Sequence, residues 1–292
     1  MLTVMTPTYN RERTLPACYK SLLSQTDKRF VWMIIDDGSV DNTEQIVQEW
    51  IDEKQIEIVY LKKENGGKAS ALNYAFQHLT TPYACCLDSD DIFYPNTVEL
   101  AISQLDVVKD DSNCCGVIAI SSNMDGTPMG GVEIPHYFKT IKITDILHLG
   151  RGIELVRLYK TDILKQYAFP IFSGEKFVSP AWIDYEINRK YYFVPSWDKM
   201  IACEYQADGL TVNKRAVIVK NPHGYTSVKR QSFEFANTLK GTVKHGIMYN
   251  CGCIIGHDKN WLKNSPKKFW TVILRPFAWI VYLRRFRKLC KN

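Results

Sequence analysis

Four times in the first 91 residues a short apolar run ends abruptly in a loop rich in Asp, Asn or Gly, and this repetition constrains the fold more than any other feature of the chain. Residues 2–5 run into Thr6-Pro7-Thr8-Tyr9-Asn10, and residues 30–35 into Asp36-Asp37-Gly38-Ser39. Residues 56–61 are followed by Lys62-Lys63-Glu64-Asn65-Gly66-Gly67-Lys68, and residues 83–87 by Asp88-Ser89-Asp90-Asp91. The run at 30–35 is continuous rather than alternating, as in a parallel strand covered on both faces. Between the runs, apolar residues return at helical spacing: Ile46, Val47, Trp50 and Ile51 after Asp41-Asn42-Thr43, and Ala71, Leu72, Ala75, Phe76 and Leu79 after Lys68. Thr14 is placed to cap a helix from about Leu15, with Pro16 tolerated in its first turn. Strands alternating with helices predict an α/β fold around a mostly parallel sheet, and such sheets bind ligands beyond the carboxyl ends of their strands. The most polar loops of the chain stand at those ends.

The second half is less regular. Residues 117–120 and 153–160 read as further strands, 180–189 as a short helix and 230–250 as helical. No Gly/Ser linker, low-complexity run or internal repeat marks a second independent domain, and a hydrophobic content of 46% is ample for a packed core.

Asp88-Ser89-Asp90 carries the sharpest chemistry. Two carboxylates spaced two apart at a strand terminus project to the same side, and hard oxygen donors so arranged hold Mg²⁺ or Mn²⁺ against a diphosphate. In isolation the same residues read as an acidic turn capping a helix that begins near Pro95. The context decides between these readings. Thr6-Pro7-Thr8-Tyr9-Asn10, Asp36-Asp37-Gly38-Ser39-Val40-Asp41-Asn42-Thr43, Asn65-Gly66-Gly67-Lys68 with Asn73, and Leu87-Asp88-Ser89-Asp90-Asp91 follow one another at ordinary spacings. Together they resemble the nucleotide-binding half of the family 2 glycosyltransferases over about residues 2–120.

That resemblance implies a GT-A type fold, with a Rossmann-like, mostly parallel central sheet flanked by helices and a C-terminal helical extension. It divides the chain into a catalytic domain at 1–225, with a nucleotide-binding half at 1–120 and an acceptor-binding half at 121–225, and a basic helical extension at 226–292. It also implies a nucleotide-sugar site formed by Thr6, Pro7, Tyr9, Asp37, Asn65, Lys68, Asp88 and Ser89. Tyr9 would pack on the nucleobase, Asp37 accept from a base N–H, Lys68 lie near the diphosphate, and Asp88 and Asp90 hold ribose and metal. Asp90 is the main metal ligand in this reading, Asp88 supports it, and His223 is a further candidate.

Elementary chemistry agrees, since an aromatic face stacks on a base and a carboxylate suits uracil N3–H, or equally guanine N1–H. A compact ammonium offsets phosphate charge. Each residue also has a plain structural reading: Tyr9 as a surface turn residue, Asp37 as the start of an Asp-Gly turn, Lys68 as a solvated helix-start cation, and His223 as a solvated loop residue. Gly66-Gly67-Lys68 lacks the GxxxxGK[ST] frame, which excludes an ATPase of the P-loop type.

Displacement at an anomeric carbon needs a group that takes the proton of the acceptor hydroxyl. In the family a Glu-Asp pair commonly precedes an apolar-rich helix bearing an Arg, and its Asp is the base. Here Ile183 precedes Asp184, so the match is partial. Asp184 is the first candidate, Glu186 the second and Glu175 the third, while Glu186 and Arg189, three apart, also read as an ordinary helix-surface pair. An inverting outcome is implied by the resemblance and by the absence of an obvious second nucleophile. Beyond Asp208-Gly209-Leu210-Thr211 and Asn221-Pro222-His223-Gly224-Tyr225, the chain resembles the less uniform part of polysaccharide-assembling members.

The formal charge of +6 belongs to one end. Residues 259–292 hold ten Lys or Arg and no acid, leaving 27 basic against 31 acidic residues elsewhere. A basic end without a uniformly basic groove excludes nucleic acid and suggests an anionic surface such as a lipid leaflet. Residues 269–283 are apolar except for Arg275-Pro276, too short and too interrupted for a spanning helix. With Trp270, Trp279, Tyr282 and the cations after residue 283, they suit a helix lying in the headgroup layer, so residues 268–292 are expected to meet an anionic membrane. A terminal helix packed on the protein itself is the competing reading. Residues 1–5 are too short an apolar run for a secretory signal, and the nine cysteines read as buried reduced thiols. The expected location is cytoplasmic, peripheral on the inner face of the cell membrane.

The expected activity is therefore an inverting, metal-dependent sugar transfer, hexosyl or N-acetylhexosaminyl. It uses Mg²⁺ or Mn²⁺ and a nucleotide diphosphate donor, by preference a UDP-sugar. The acceptor is a hydroxyl of a saccharide or lipid-linked saccharide in surface polysaccharide assembly. A sugar-phosphate nucleotidyltransferase would carry a glycine-rich basic loop after its first strand, where this chain has Thr6-Pro7-Thr8-Tyr9. A membrane-attached module that binds nucleotide sugar or scaffolds an assembly without turnover is the non-enzymatic alternative.

Overall fold

The computed structural model describes residues 1–146, 153–203 and 214–290, so Asp208-Gly209-Leu210-Thr211 lies outside the described residues. The chain forms two compact units, Met1–Ala168 with Glu186–Gln206 and Phe169–Tyr185 with Ala207–Asn292.

The first unit contains the strands β1 (Leu2–Thr8), β2 (Phe30–Asp36), β3 (Ile58–Lys62), β4 (Tyr83–Cys86), β5 (Asp91–Phe93), β6 (Cys114–Ile120), β7 (Ser122–Asn123), β8 (Leu155–Lys160), β9 (Tyr192–Pro195) and β10 (Ile201–Cys203). Seven of them form one sheet in the order β3-β2-β1-β4-β8-β6-β9. All neighbours are parallel except β8, which runs antiparallel to both β4 and β6. β2 is buried at every position, whereas β3 at the sheet edge is partly exposed, as the continuous apolar run at 30–35 requires of an inner strand.

Helices α1 (Leu15–Leu23), α2 (Thr43–Glu53), α3 (Lys68–His78) and α4 (Thr97–Val107) belong to this unit, with two short turns, α5 (Ile143–Ile146) and α6 (Thr161–Leu164). α1 and α2 meet the sheet through stacked rings: Tyr19 lies 4.3 Å from Trp50 and 5.8 Å from Trp32. Trp32 is fully buried and its Nε1 donates to Thr6 Oγ1 at 2.9 Å. Loss of such a ring costs about 3–5 kcal/mol.

Strand register decides which loops meet. Thr8 pairs with Asp36 and Asp36 with Lys62, so β1, β2 and β3 end level with one another, while Met5 pairs with Cys86 of β4. The residues that follow, Tyr9, Asp37, Lys63 and the Asp88-Ser89-Asp90-Asp91 turn, therefore leave from one edge. The chain then forms a second, three-stranded sheet, β5-β10-β7, in which Asp91 pairs with Cys203 and Ala202 lies between Ile92 and Ser122.

Helix α7 (Ala181–Ile187) spans the division between the units. The second unit holds α8 (Lys214–Lys220), α9 (Pro222–Glu234), α10 (Leu239–Ile255) and α11 (Lys268–Arg285). The expected domain limit at 225 falls inside α9, whose continuous helix crosses it. The stretch at 230–250, expected as one helical segment, is broken between α9 and α10, because Thr238 caps α10 by accepting from Gly241 N at 3.0 Å.

α11 packs on α10, Ala278 and Phe286 joining Cys251, Ile254 and Ile255 in one cluster. Arg275, which interrupts the apolar run in the sequence, turns onto Trp261 with its guanidinium 4.3 Å from the ring centre, and Nη1 reaches the Asn250 carbonyl at 3.4 Å. The opposite face of α11 is apolar and open: Phe269 is 70% exposed and Phe277 53%, and Ile273, Ile280 and Leu283 are exposed with them. Among the described residues, no helix is long and apolar enough to cross a membrane.

Candidate active site

The loops at the level ends of β1, β2 and β3 are knitted together. Asn10 N donates to Ser39 Oγ at 2.9 Å, Val40 N returns a bond to Asn10 Oδ1 at 2.9 Å, and Arg11 N donates to Thr43 Oγ1 at 3.0 Å. Gly38 turns with φ of +81°, and a side chain there would come within 3.0 Å of Asn65 N, so the Asp-Asp-Gly turn needs glycine for both reasons. Asn65 Nδ2 closes the loop onto the Asp37 carbonyl at 2.8 Å.

Asp37 is the hub. Its buried carboxylate accepts Lys63 Nζ at 2.8 Å and Gly66 N at 3.0 Å on one oxygen, and Gly67 N at 2.6 Å on the other. A carboxylate offers about four acceptor positions, so one remains for a further donor. Tyr9 stands beside this hub at the end of β1, 47% exposed. Among the described residues nothing bonds to its hydroxyl or stacks on its ring, which leaves an aromatic face to solvent. Thr6, by contrast, is fully buried and bonded to Trp32, Pro7 is half-buried, and Ser89 is buried.

One loop further, Lys68 Nζ bonds both oxygens of Asp88 at 2.6 Å. Burial works against the Lys68 charge, but the neighbouring Asp88 outweighs it and raises the pKa above the usual lysine range. Asp88 is held below the usual carboxylate range: burial opposes ionisation there, and Lys68 overcomes it. Among the described residues no cation bonds Asp90 or Asp91, although the charge of Arg11 offsets part of the shift at Asp90. Burial, then the charge of Asp88, raises Asp90, and burial with both neighbouring carboxylates pushes Asp91 up to about 8. Within the cluster Lys68 bonds Asp88 alone, and the donors of Asp88 and Asp90 are hard oxygens of the kind that take Mg²⁺ or Mn²⁺. Among the described residues no three His, Cys, Asp or Glu side chains converge to enclose an ion. One or two carboxylates are what an ion shared with a diphosphate draws from the protein, so Asp90 and Asp88 fit that role.

Residues 3–168, more than half of the chain, match the profile described as glycosyl transferase family 2. The chain belongs to this family. The solved structures agree on the fold. Staphylococcal TarS 1–349 (S. aureus) in complex with UDP-GlcNAc superposes with a TM-score of 0.58 at 15% identity, covering 97% of this chain and 91% of that one. The mannosyltransferase PcManGT from Pyrobaculum calidifontis, in complex with GDP-Man and Mn²⁺, gives 0.55 at 15% identity, covering 97% and 75%. Both are GT-A glycosyltransferases, and the mostly parallel sheet with its flanking helices is of that type. Among curated relatives, the minor teichoic acid biosynthesis protein GgaB of Bacillus subtilis is 29% identical over 145 residues, 49% of this chain and 16% of its own. The chain spans half or less of the length of such relatives.

The acceptor-side candidates of this family 2 chain have separate surroundings. Asp184 is fully buried in α7, between buried Ile183 and Tyr185. Glu186 pairs with Arg189 Nε at 3.0 Å, the helix-surface pair that their spacing allowed. Glu175 caps α9: it accepts His223 N at 2.8 Å, Gly224 N at 2.7 Å and His223 Nδ1 at 2.7 Å. Asn221 answers by accepting Lys176 N and Phe177 N at 2.8 and 3.0 Å. Glu175 and His223 therefore form one half of a reciprocal clamp between residues 175–177 and 221–224. The sequence did not single out Lys63 or Asp91. Lys63 had one available signal, its place as the first residue past the end of β3, level with Asp37.

Proposed function

We propose that this family 2 chain transfers a sugar from a nucleotide diphosphate donor, by preference UDP-linked, to a hydroxyl of a saccharide or lipid-linked saccharide, with inversion at the anomeric carbon. The observation that carries the reading is the convergence at one sheet edge of an open tyrosine ring, a buried carboxylate with one acceptor position to give, and a lysine bonded to the first member of a carboxylate cluster. Tyr9 stacks on the base and Asp37 accepts from its N–H, while Lys68 faces the diphosphate beside Asp88. Asp90, with Asp88, would hold Mg²⁺ or Mn²⁺, which would neutralise negative charge on the leaving diphosphate. The UDP-GlcNAc in TarS and the GDP-Man with Mn²⁺ in PcManGT are consistent with either base. The teichoic acid role in the name of GgaB is consistent with an acceptor of the surface-polymer kind.

The reading is tested by UDP and GDP release from a panel of nucleotide sugars, with and without metal. Metal-dependent UDP release that Asp90→Asn abolishes supports it; binding of UDP with no turnover on any acceptor moves the chain to the non-catalytic alternative. Asp184 is assigned as the base, which requires acceptor binding to uncover it. Asp184→Asn then keeps UDP affinity and removes transfer, and full transfer in that variant reassigns the role to Glu186, since Glu175 is engaged in the α9 cap.

The open face of α11 supports peripheral attachment to an anionic leaflet, with Arg284 and Arg285 in its last turn and Arg287 and Lys288 directly after it. Removing α11 would uncover Cys251, Ile254 and Ile255, so exposed-face substitutions are the cleaner test. Phe277→Ser with Ile280→Ser and Leu283→Ser should abolish flotation with phosphatidylglycerol vesicles while leaving UDP binding intact. Unchanged flotation would remove the membrane from the proposal.

A further inference from the structure

A second cleft in the first unit has a composition unlike the donor side. β6 and β9 run parallel to each other, and β8 is antiparallel to both β4 and β6. The segments that follow β6 and β9 therefore leave from the same sheet edge as the carboxylate cluster. There a cavity of about 70 Å³ opens between Ser122, Glu133, Ile134, Trp197 and Lys199.

Trp197 is held in a fixed attitude. Its Nε1 donates to the Ile134 carbonyl at 2.7 Å, and its ring stacks on His136 with centroids 4.6 Å apart and planes 17° off parallel. It is nevertheless 44% exposed, and Tyr137, next to His136, is 76% exposed. An indole anchored at its polar edge with aromatic surface left open is arranged for a ligand rather than for a core. Beside it, Glu133 and Lys199 are exposed, and among the described residues neither makes a hydrogen bond. The small sheet fixes the distance to the donor side: Ser122, Ala202 and Ile92 lie in register on adjacent strands, so two strand spacings, roughly 10 Å, separate the cleft wall from the strand that begins at Asp91.

We infer that the open face of Trp197, backed by His136 on the other, is a stacking platform for a pyranose ring of the acceptor, with Glu133 and Lys199 bonding its hydroxyls. This inference rests on the transferase reading above. A pyranose presents an apolar C–H face to an aromatic ring and hydroxyls to polar groups at its rim. The cleft supplies both, and the pinned indole loses little freedom on binding. The donor chemistry occupies the ends of β1 to β4, so a sugar at the ends of β6 and β9 belongs to the acceptor. It is held away from the reacting hydroxyl and orients the chain that carries it.

Saturation-transfer NMR on the full chain with saturating UDP tests this, using chitotetraose, maltotetraose and cellotetraose as probes. Wild type should transfer saturation to at least one saccharide. Trp197→Ala should weaken that binding about tenfold or more, while Trp197→Phe retains most of it. Should Trp197→Ala fail to fold, the surface pair Glu133→Gln with Lys199→Met carries the same expectation of weakened saccharide binding. UDP affinity should be unchanged in every folded variant. Saccharide binding that survives Trp197→Ala or the surface pair, or no saccharide signal from wild type while UDP still binds, overturns the platform and leaves the donor reading standing. Failure of wild type to bind UDP overturns the donor reading instead.

Discussion

Lys63 Nζ stands 2.8 Å from Asp37 Oδ1, and the same oxygen accepts the Gly66 backbone N–H at 3.0 Å. The ammonium thus fixes the carboxylate that orders the Gly66-Gly67 loop, and it does so from mostly buried surroundings where screening is weak. Lys63→Ala should raise the dissociation constant for UDP about tenfold or more, since a charge-assisted bond of ~1.5–3 kcal/mol that orders the loop is lost. Calorimetry with UDP measures it, and affinity equal to wild type would show that the backbone N–H groups hold Asp37 unaided.

Lys68 has a different task, because it is the cation that bonds Asp88 inside the Asp88, Asp90 and Asp91 cluster. Lys68→Met keeps the length of the side chain and removes the charge, so the cluster repels the diphosphate that it should receive. The expected outcome is a fall of about 100-fold or more in metal-dependent UDP release, in line with loss of a preorganised charge at a transferring group. Lys68→Arg should recover part of it. Release within a few fold of wild type in Lys68→Met would place the diphosphate elsewhere.

What the sequence disclosed follows from the length of each signal. The runs at 30–35 and 83–87 are uninterrupted, and each breaks at a residue that prefers turns, so β2, β4 and the loops bearing Asp37, Asp88 and Asp90 were legible together. Lys63 was not, because a lysine inside Lys62-Lys63-Glu64 looks solvated until the register of β2 and β3 sets it against Asp37. The β5-β10-β7 sheet has strands of two or three residues, too short for any periodicity. The Glu175–His223 and Asn221–Lys176 bonds join positions 48 and 45 residues apart and leave no local trace. Arg275 read as a charge interrupting an apolar helix because the sequence could not show Trp261 receiving it.

That clamp carries its own test. A Cβ on Gly224 would sit 2.3 Å from the Phe177 carbonyl oxygen, a backbone atom that cannot swing aside as a side chain would. Gly224→Ala should therefore force the two segments apart and destabilise the second unit by about 1–3 kcal/mol, read as a lowered thermal midpoint. UDP affinity should hold, since the donor-side residues belong to the first unit. A midpoint equal to wild type would mean that residues 175–177 and 221–224 separate freely.

Lys229 makes the stability of the second unit depend on pH. Burial first, then the charges of Lys214 and Lys244, push its pKa down from the ordinary 10.5 to about 8, and the Tyr225 ring 5.5 Å from Nζ offsets part of the cost. Below about 8 the folded chain must hold the ammonium in unfavourable surroundings, so the penalty is fully present at pH 7. Between about 8 and 10.5 the unfolded chain binds more protons at this site than the folded one, and stability rises with pH across that window. Lys229→Met keeps the aliphatic stem and removes the titration. At pH 7 it should gain about 1–2 kcal/mol after the loss of the cation–π contact, and its stability difference from wild type should shrink as pH rises from 8 towards 10. Urea unfolding at pH 7, 8, 9 and 10 measures both effects. A Lys229→Met chain less stable than wild type at pH 7, or a difference that does not change with pH, would mean that Tyr225 and the surrounding water already accommodate the charge.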